Sequence, residues 1–387
     1  MKVVHSAKFY PPYRGGMETV VGDLCEGTAG TWEVSVVAAN DSSRTVHERL
    51  GRVEVTRVAT FGQVASVPMC PALPWHLWGR GADCVVLHEP NPIAGTALWL
   101  RTPAPRLVVW HHSDLVRPWW AAPIYGRLQR SLYRAADCVI VSSPVLAAES
   151  GLVRSARRVA VIPFGVPLDR YRGTDPARLA RVDAIRAHAS GPRLLFVGRL
   201  VYYKGLQVLL DAVREWPGTL LIAGEGPLEG PLRGRAARDG LGERVVFLGR
   251  VSDDDLPAYY QACDAFVLPS IARTEAFGVV QVEAMAAGLP VVSTRLPTGV
   301  PWVNQDGVSG LVVPPDDAAA LGSALGRLAA DSGLRERLAA GARRRADALF
   351  SRERMVHAFT DVIEAVVRAP EQLDPLLDAL LARATTV

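Results

Sequence analysis

Short runs of β-branched and aliphatic residues alternate along the chain with stretches of ten or more residues whose apolar positions recur at helical spacing. This alternation predicts parallel strands covered by helices. The strand-like runs of the first half are Val34 to Ala38, Cys84 to Leu87, Leu107 to Trp110, Cys138 to Val141 and Val159 to Ile162. Those of the second half are Arg193 to Val197, Thr219 to Ala223, Val245 to Leu248, Ala265 to Leu268, Val291 to Thr294 and Leu311 to Val313. Eleven or more strands suit two successive doubly wound α/β sheets better than one. A polar, broken stretch, Asp169 to Pro192, separates the two sets and is expected to be the linker, giving domains over 1–175 and 176–351. From Ser332 onward the pattern is helical, with Leu, Ala and Arg at i, i+3 and i+4 and one break expected at Ala369-Pro370. The helices from about 352 to 387 are expected to return to the first domain.

Composition narrows the class. A chain of 387 residues with 49% hydrophobic and 21% charged residues is neither disordered nor, with no apolar run near the ~18 residues of a span, an integral membrane protein. The net charge is +4 and the arginines are dispersed, which argues against nucleic acid as a partner. Only Lys2, Lys8 and Lys204 are lysines, so Lys204, the one inside a motif, stands out. Five cysteines, Cys25, Cys70, Cys84, Cys138 and Cys263, form no C-x-x-C pair, and no histidines cluster at zinc-ligand spacing. A reduced, cytoplasmic protein without a structural metal is expected. Met1 to Ala7 holds too short an apolar stretch for an export signal and reads as the first strand.

The richest segment is Thr274 to Val292. After Phe277 its periodicity predicts a helix of about ten residues, closed by Gly288 and Leu289-Pro290 and followed by a strand. Glu275 then precedes the helix and Glu283 lies about two turns inside it, up to about 12 Å away, a separation suited to the two ends of an extended ligand. Between them the amides of Phe277 and Gly278 and the positive helix end are expected to face an anion, with Ala276 beside them as a further donor-binding residue. A second segment, Phe196 to Gly205, leaves a strand and carries Arg199 and Lys204, two cations able to hold one diphosphate. A third, Tyr10 to Glu18, places Gly15 and Gly16 between a strand and a helix, where backbone can approach phosphate closely.

Taken with Ala223-Gly224-Glu225-Gly226-Pro227-Leu228, these segments resemble the retaining glycosyltransferases of family 4, the glycosyl transferases of group 1, over essentially the whole chain. The resemblance implies the GT-B fold, two Rossmann-like domains facing across a cleft. It implies a nucleoside diphosphate sugar as donor, with Arg199 and Lys204 on the diphosphate, Glu275 on the sugar, Glu283 on the ribose and main chain near Val251 on the base. It also implies no metal and no further cofactor. In Asp253-Asp254-Asp255, Ser252 reads as an N-cap over an acidic first turn rather than part of a metal site. The run His111-His112-Ser113-Asp114 ends a strand and resembles the family's donor-sugar histidine at His112, with His111 expected to pack.

Glu89, ending the neighbouring strand, and Asp114 are expected to flank the acceptor. Two carboxylates there suit a cationic acceptor, an amino sugar or aminocyclitol of a secondary metabolite as in antibiotic biosynthesis, with a UDP-hexose as donor. The other acceptor reading is a surface polysaccharide or lipid-linked glycan using a GDP- or UDP-sugar. There the arginines and aromatics from Arg117-Pro118-Trp119-Trp120 to Arg134 would meet a membrane. A nucleotide-sugar 2-epimerase and a non-catalytic sugar-nucleotide sensor are the readings from other classes. A dehydrogenase is disfavoured, since no G-x-G-x-x-G follows the first strand.

Overall fold

The computed structural model describes the chain apart from residues 14, 65–66, 80, 103, 115–121, 189 and 387 and the side chains of 122–124. It divides into two compact units, Met1–Phe164 with Arg352–Val387, and Gly165–Ser351. The stretch expected to be the linker belongs to the second unit. Leu168, just before it, and Tyr171 of its first turn are buried, and the Gln261 side chain donates to the carbonyls of Tyr171 and Gly173. Its helix Pro176–Ala187 packs through Val182 on Ala258 and Ala262 of helix Leu256–Ala262. A polar sequence here covers a half-exposed face instead of joining two bodies.

The first unit is built on an eight-stranded sheet: β1 Lys2–Ser6, β2 Glu33–Ala39, β3 Val46–Leu50, β4 Val53–Val58, β5 Cys84–Glu89, β6 Arg106–His111, β7 Cys138–Val141 and β8 Val159–Val161. The spatial order is β8-β7-β6-β5-β1-β2-β4-β3, parallel except for the β3–β4 pair. Strand β3 has no counterpart in the sequence reading. It is an edge strand with no buried residue, so no hydrophobic period marks it. Strand β5, by contrast, is buried throughout.

The C-terminal helices complete this unit. The helical tail is broken twice: the expected break is present between Arg352–Arg368 and Leu373–Thr386, and a second separates Ser332–Leu349 from Arg352. Helix Arg352–Arg368 lies against helix Gly16–Thr28. A Cβ at Gly27 would come within 2.7 Å of Val356, so glycine sets the approach. Arg352 pairs with Asp23 at 2.9 Å and Glu26 at 3.1 Å. Phe359 is fully buried beside His5, Trp32 and Trp110.

The second unit carries six parallel strands, β9 Arg193–Val197, β10 Thr219–Ala223, β11 Val245–Gly249, β12 Ala265–Leu268, β13 Val291–Thr294 and β14 Gly310–Val313, in the order β11-β10-β9-β12-β13-β14. Leu194, Phe196, Leu220, Ile222, Val267 and Val292 form the centre of its core. The loops at the C-terminal ends of β9, β10 and β12 stack backbone on backbone. A Cβ on Gly224 would overlap the carbonyl oxygen of Gly198, and one on Gly205 the carbonyl oxygen of Pro269. The amide of Leu200 donates to Glu225 and that of Ile271 to Tyr203, at 2.9 and 2.8 Å. Among the described residues no helix is long and apolar enough to cross a membrane.

Two glycines separate backbone strain from crowding. Gly205 and Gly240 share a φ of 70°, but a Cβ at Gly240 meets nothing within 4 Å. Gly240→Ala is expected to cost about 1 kcal/mol, and Gly205→Ala about 3 kcal/mol or more as overlap adds to strain. Urea unfolding of the two variants checks this; equal losses would show that the close approach of the loops is not what requires Gly205.

Candidate active site

In the second unit the loop after β9 turns through a short 3-10 segment, Tyr202–Lys204, and Gly205 then opens helix Leu206–Ala212. This turn carries Lys204 inward, where only 8% of the residue remains exposed. Its Nζ lies 2.5 Å from Oε2 of Glu275, and the same oxygen accepts from Ser270 Oγ at 3.0 Å. Glu275 sits on the loop after β12, which the Ala276 carbonyl ties down by accepting from the Gly299 amide. Lys204, expected on the diphosphate, and Glu275, expected on the sugar, thus meet in one buried ion pair. Arg199 projects from the same β9 loop, exposed, its carbonyl accepting from the Val201 amide and its side chain without an ion pair or hydrogen bond among the described residues. Tyr203 feels the charges of Lys204, Glu275 and Arg199 together, although burial dominates and raises its hydroxyl pKa.

Helix Val279–Ala287 begins at Gly278, whose φ of 72° is the left-handed turn a glycine allows. A Cβ there would press on Leu268 at 2.5 Å. The amides of Val279 and Val280 open the helix with no intrahelical partner, and the Gln281 amide donates back to Gly278. The buried Gln281 side chain donates to the carbonyl of Phe277, and Phe277 packs on Trp302 and Phe350. The start of this helix is therefore pinned from beneath. Glu283, half-buried and at the start of the helix's second turn, accepts from Tyr260 Oη at 2.7 Å. Burial raises its pKa, against the opposing hydrogen bonds from Tyr260 and Tyr171. Val251 follows β11 and is half-buried.

The first unit gathers a different set. Gly15 caps helix Gly16–Thr28 from extended backbone, with the Glu18 carboxylate folded back over it. Strands β6, β5 and β1 are neighbours, and their ends bring three histidines into a row. His5 Nδ1 is 3.0 Å from His88 Nε2, and His88 Nδ1 is 3.0 Å from His112 Nε2. His112 stacks on Trp110 and Phe164. Burial lowers the pKa of His5 and of His112 to about 3 and that of His88 well below the usual range, so all three are neutral. His111 does more than pack: Nδ1 meets Tyr133 Oη at 2.7 Å, and Nε2 faces Asp114 at 3.4 Å. His5 and His88 escaped the sequence reading. The available signal was one histidine at the end of each of three adjacent, otherwise aliphatic strands.

The acidic acceptor pair requires correction. Glu89 is fully buried. It accepts from the Asn91 amide at 2.7 Å, Tyr125 Oη at 2.9 Å and Gln129 Nε2 at 3.4 Å, which braces the turn after β5. Asp114 is partly exposed and accepts from Ser150 Oγ at 2.7 Å. The two carboxylates do not form an open anionic surface. Arg117, Trp119 and Trp120 lie outside the described residues.

The family model for glycosyl transferases group 1 matches residues 183–345, and that for a glycosyl transferase 4-like domain matches 15–165. The O-antigen chain mannosyltransferase C of Escherichia coli is 32% identical over 378 residues, covering 95% of this chain and 100% of that protein. The D-rhamnosyltransferase WbpZ of Pseudomonas aeruginosa is 34% identical over 333 residues, covering 84% and 86%. Among solved structures, sucrose-phosphate synthase from Thermosynechococcus elongatus superposes with a TM-score of 0.78 at 24% identity, over 94% of this chain and 98% of that one. That likeness shows the GT-B fold.

A bracing role for Glu89 has a thermodynamic signature. Removing it in Glu89→Ala strands buried donors at about 1 to 3 kcal/mol each, so urea unfolding should shift by several kcal/mol. Burial also raises the Glu89 pKa in the folded state. The folded chain therefore holds that proton to higher pH than the unfolded chain does, and stability should fall as pH rises from the ordinary glutamate range to the raised value. Glu89→Gln should flatten that fall; an unchanged pH profile would show that Glu89 is not the group responsible.

Proposed function

As the chain belongs to the glycosyl transferases of group 1, we propose that it transfers a hexose from a nucleoside diphosphate sugar to a saccharide hydroxyl of a surface polysaccharide or glycolipid, with retention and without a metal. The observation that carries this reading is the Lys204–Glu275 pair, held at the strand ends beside the start of helix Val279–Ala287. The relatives support a choice of sugar. One is a mannosyltransferase of O-antigen chains and the other a D-rhamnosyltransferase, and D-rhamnose is 6-deoxymannose. A donor of manno configuration is therefore preferred to a UDP-glucose type. The aminated acceptor is set aside, because it rested on Glu89 and Asp114 as an acidic pair and Glu89 is buried.

In this reaction the acceptor oxygen bonds to the anomeric carbon while the bond from that carbon to the diphosphate breaks. The electron pair and the acceptor's proton both go to the leaving phosphate. Negative charge grows on the diphosphate as the sugar becomes oxocarbenium-like, so cations that meet the diphosphate lower the barrier. Arg199 and Lys204 take that role with the amides that open helix Val279–Ala287. Glu275 faces the sugar. Both its contacts, Lys204 and Ser270, fall on Oε2, which leaves Oε1 for a sugar hydroxyl. Glu283, oriented by Tyr260, takes the ribose, and Val251 main chain the base. In the first unit Gly15 and Gly16 approach the phosphates, and His112 meets the sugar.

Arg199→Ala and Lys204→Ala should each raise the barrier by about 2 to 4 kcal/mol, read as turnover with a panel of GDP- and UDP-hexoses and a saccharide acceptor. Nucleoside diphosphate release should require acceptor and persist in EDTA, and the product's anomeric coupling should match the donor's. Undiminished turnover in both variants would remove the reading. A donor isomerised in the absence of acceptor would replace it with an epimerase.

Glu275→Ala should mainly lower kcat and Glu283→Ala should mainly weaken donor binding. Calorimetry with the nucleoside diphosphate alone separates them, since only the second variant should lose affinity. Equal losses would refute the division of roles.

A further inference from the structure

The row of histidines in the first unit has a property that none of its members has alone. Of its six ring nitrogens, four are used in the two hydrogen bonds that join His5, His88 and His112. The two outer nitrogens, His5 Nε2 and His112 Nδ1, are buried without a partner. The rings of His5 and His88 also stack, with centroids 5.3 Å apart, and those of His88 and His112 lie tilted at 5.2 Å. No carboxylate hydrogen-bonds to any of the three rings among the described residues, which sets this row apart from a histidine oriented by an acid.

A neutral imidazole carries one N–H, and each hydrogen bond needs one hydrogen between its two nitrogens. Those two conditions leave only two arrangements. If His5 carries its hydrogen on Nδ1, His88 must accept at Nε2, donate from Nδ1, and force His112 to carry its hydrogen on Nδ1. If His5 carries it on Nε2, every ring follows in the Nε2–H form. The tautomer of His112 is thus fixed by a ring two strands away.

The two ends of the row are not equivalent. At the His5 end the ring is fully buried and covered by Phe359 from the C-terminal helix. An N–H stranded there has no acceptor. At the other end His112 is the first residue after β6 and keeps 4% exposure where His5 keeps none, so of the two buried outer nitrogens only Nδ1 of His112 belongs to a residue at the surface, and a substrate oxygen is expected there rather than at His5. Resting on the glycosyl-transfer reading for the identity of that substrate, we infer that His5 and His88 are positioning residues that lock His112 as a hydrogen-bond donor, through Nδ1, to a sugar oxygen. The hydrogen bond of one ring to the next replaces the carboxylate or carbonyl that ordinarily fixes a functional histidine.

The test uses full-length protein labelled with 15N in histidine. Two-bond 1H–15N correlations should place the hydrogen of His112 on Nδ1 in the wild type. In His88→Phe it should move toward the Nε2–H form that an isolated imidazole favours. His88→Asn keeps an amide where Nδ1 was, able to donate to His112 Nε2, and should retain the Nδ1–H form. Turnover should follow the tautomer: His88→Phe lowers kcat about 10- to 100-fold with little change in donor KM, and His88→Asn recovers part of the loss. Combining His88→Phe with His112→Ala should be no worse than His112→Ala alone, because a residue acting through His112 has nothing left to position.

A His112 carrying its hydrogen on Nε2 in the wild type, an unchanged tautomer in His88→Phe, or additive losses in the double variant would overturn the inference. Should His88→Phe fail to fold, the wild-type spectrum and His88→Asn still decide. If no nucleotide-sugar in the panel turns over, the glycosyl-transfer reading fails on its own, and the spectra still show whether the row sets the tautomer.

Discussion

The candidate donor site depends on how closely backbone can approach backbone at the strand ends of the second sheet. Gly224 sits on the carbonyl of Gly198, Gly226 crowds the main chain of Leu200, and Gly205 lies against the carbonyl of Pro269. A single methyl at any of these points would push the loops after β9, β10 and β12 apart. Their closeness is what lets a lysine on the first loop reach a glutamate on the third, with the Ile271 amide bonded to Tyr203 between them. The glycines contribute no chemistry, yet they fix the separation on which the chemistry rests.

Each unit then meets the cost of burying polar groups near a strand end in its own way. The second unit buries opposite charges together. Lys204 and Glu275 neutralise each other, and Ser270 supplies a further donor, so neither ion is left bare in a place where an unpaired charge would cost several kcal/mol. The first unit buries groups that are kept uncharged or fully bonded. His5, His88 and His112 stay neutral in their row, and Glu89 is surrounded by three donors. A paired charge can change partner when an anion arrives, whereas a neutral row holds a direction of hydrogen bonding. Those are different capacities, and each depends on burial.

The parallel strands were legible because both faces of each are covered, so they read as unbroken apolar runs. Strand β3 was not, because an edge strand with exposed side chains leaves no such trace. The same rule explains the boundary. Asp169 to Pro192 is polar because it lies over the surface of the second unit, and polarity cannot distinguish a covering segment from a linker. At the site, Lys204, Glu275 and Gly278 were legible through spacing around a helix start. That Lys204 and Glu275 would join was not, since their 70 intervening residues pass through three strands and the approach is set by glycine contacts in space. Glu89 misled for a related reason. A carboxylate at a strand end reads as facing solvent, and only the fold brings Tyr125 and Gln129 over it.

Glu275 shows why a pair can suit the proposed chemistry better than a free cation. The partner carboxylate fixes where the Lys204 Nζ sits, which an exposed lysine on a flexible stem would not achieve. On the proposed reading a diphosphate would share that cation without first expelling Glu275, since an ammonium has three hydrogens and, among the described residues, the side-chain contacts of Glu275 use only Oε2. Sharing also acts on the transition state more than on the ground state, because the phosphate gains charge as the sugar departs while the carboxylate's charge is constant. The balance of the lysine then moves toward the leaving group as the bond breaks, and an interaction that strengthens along the reaction is one that raises kcat.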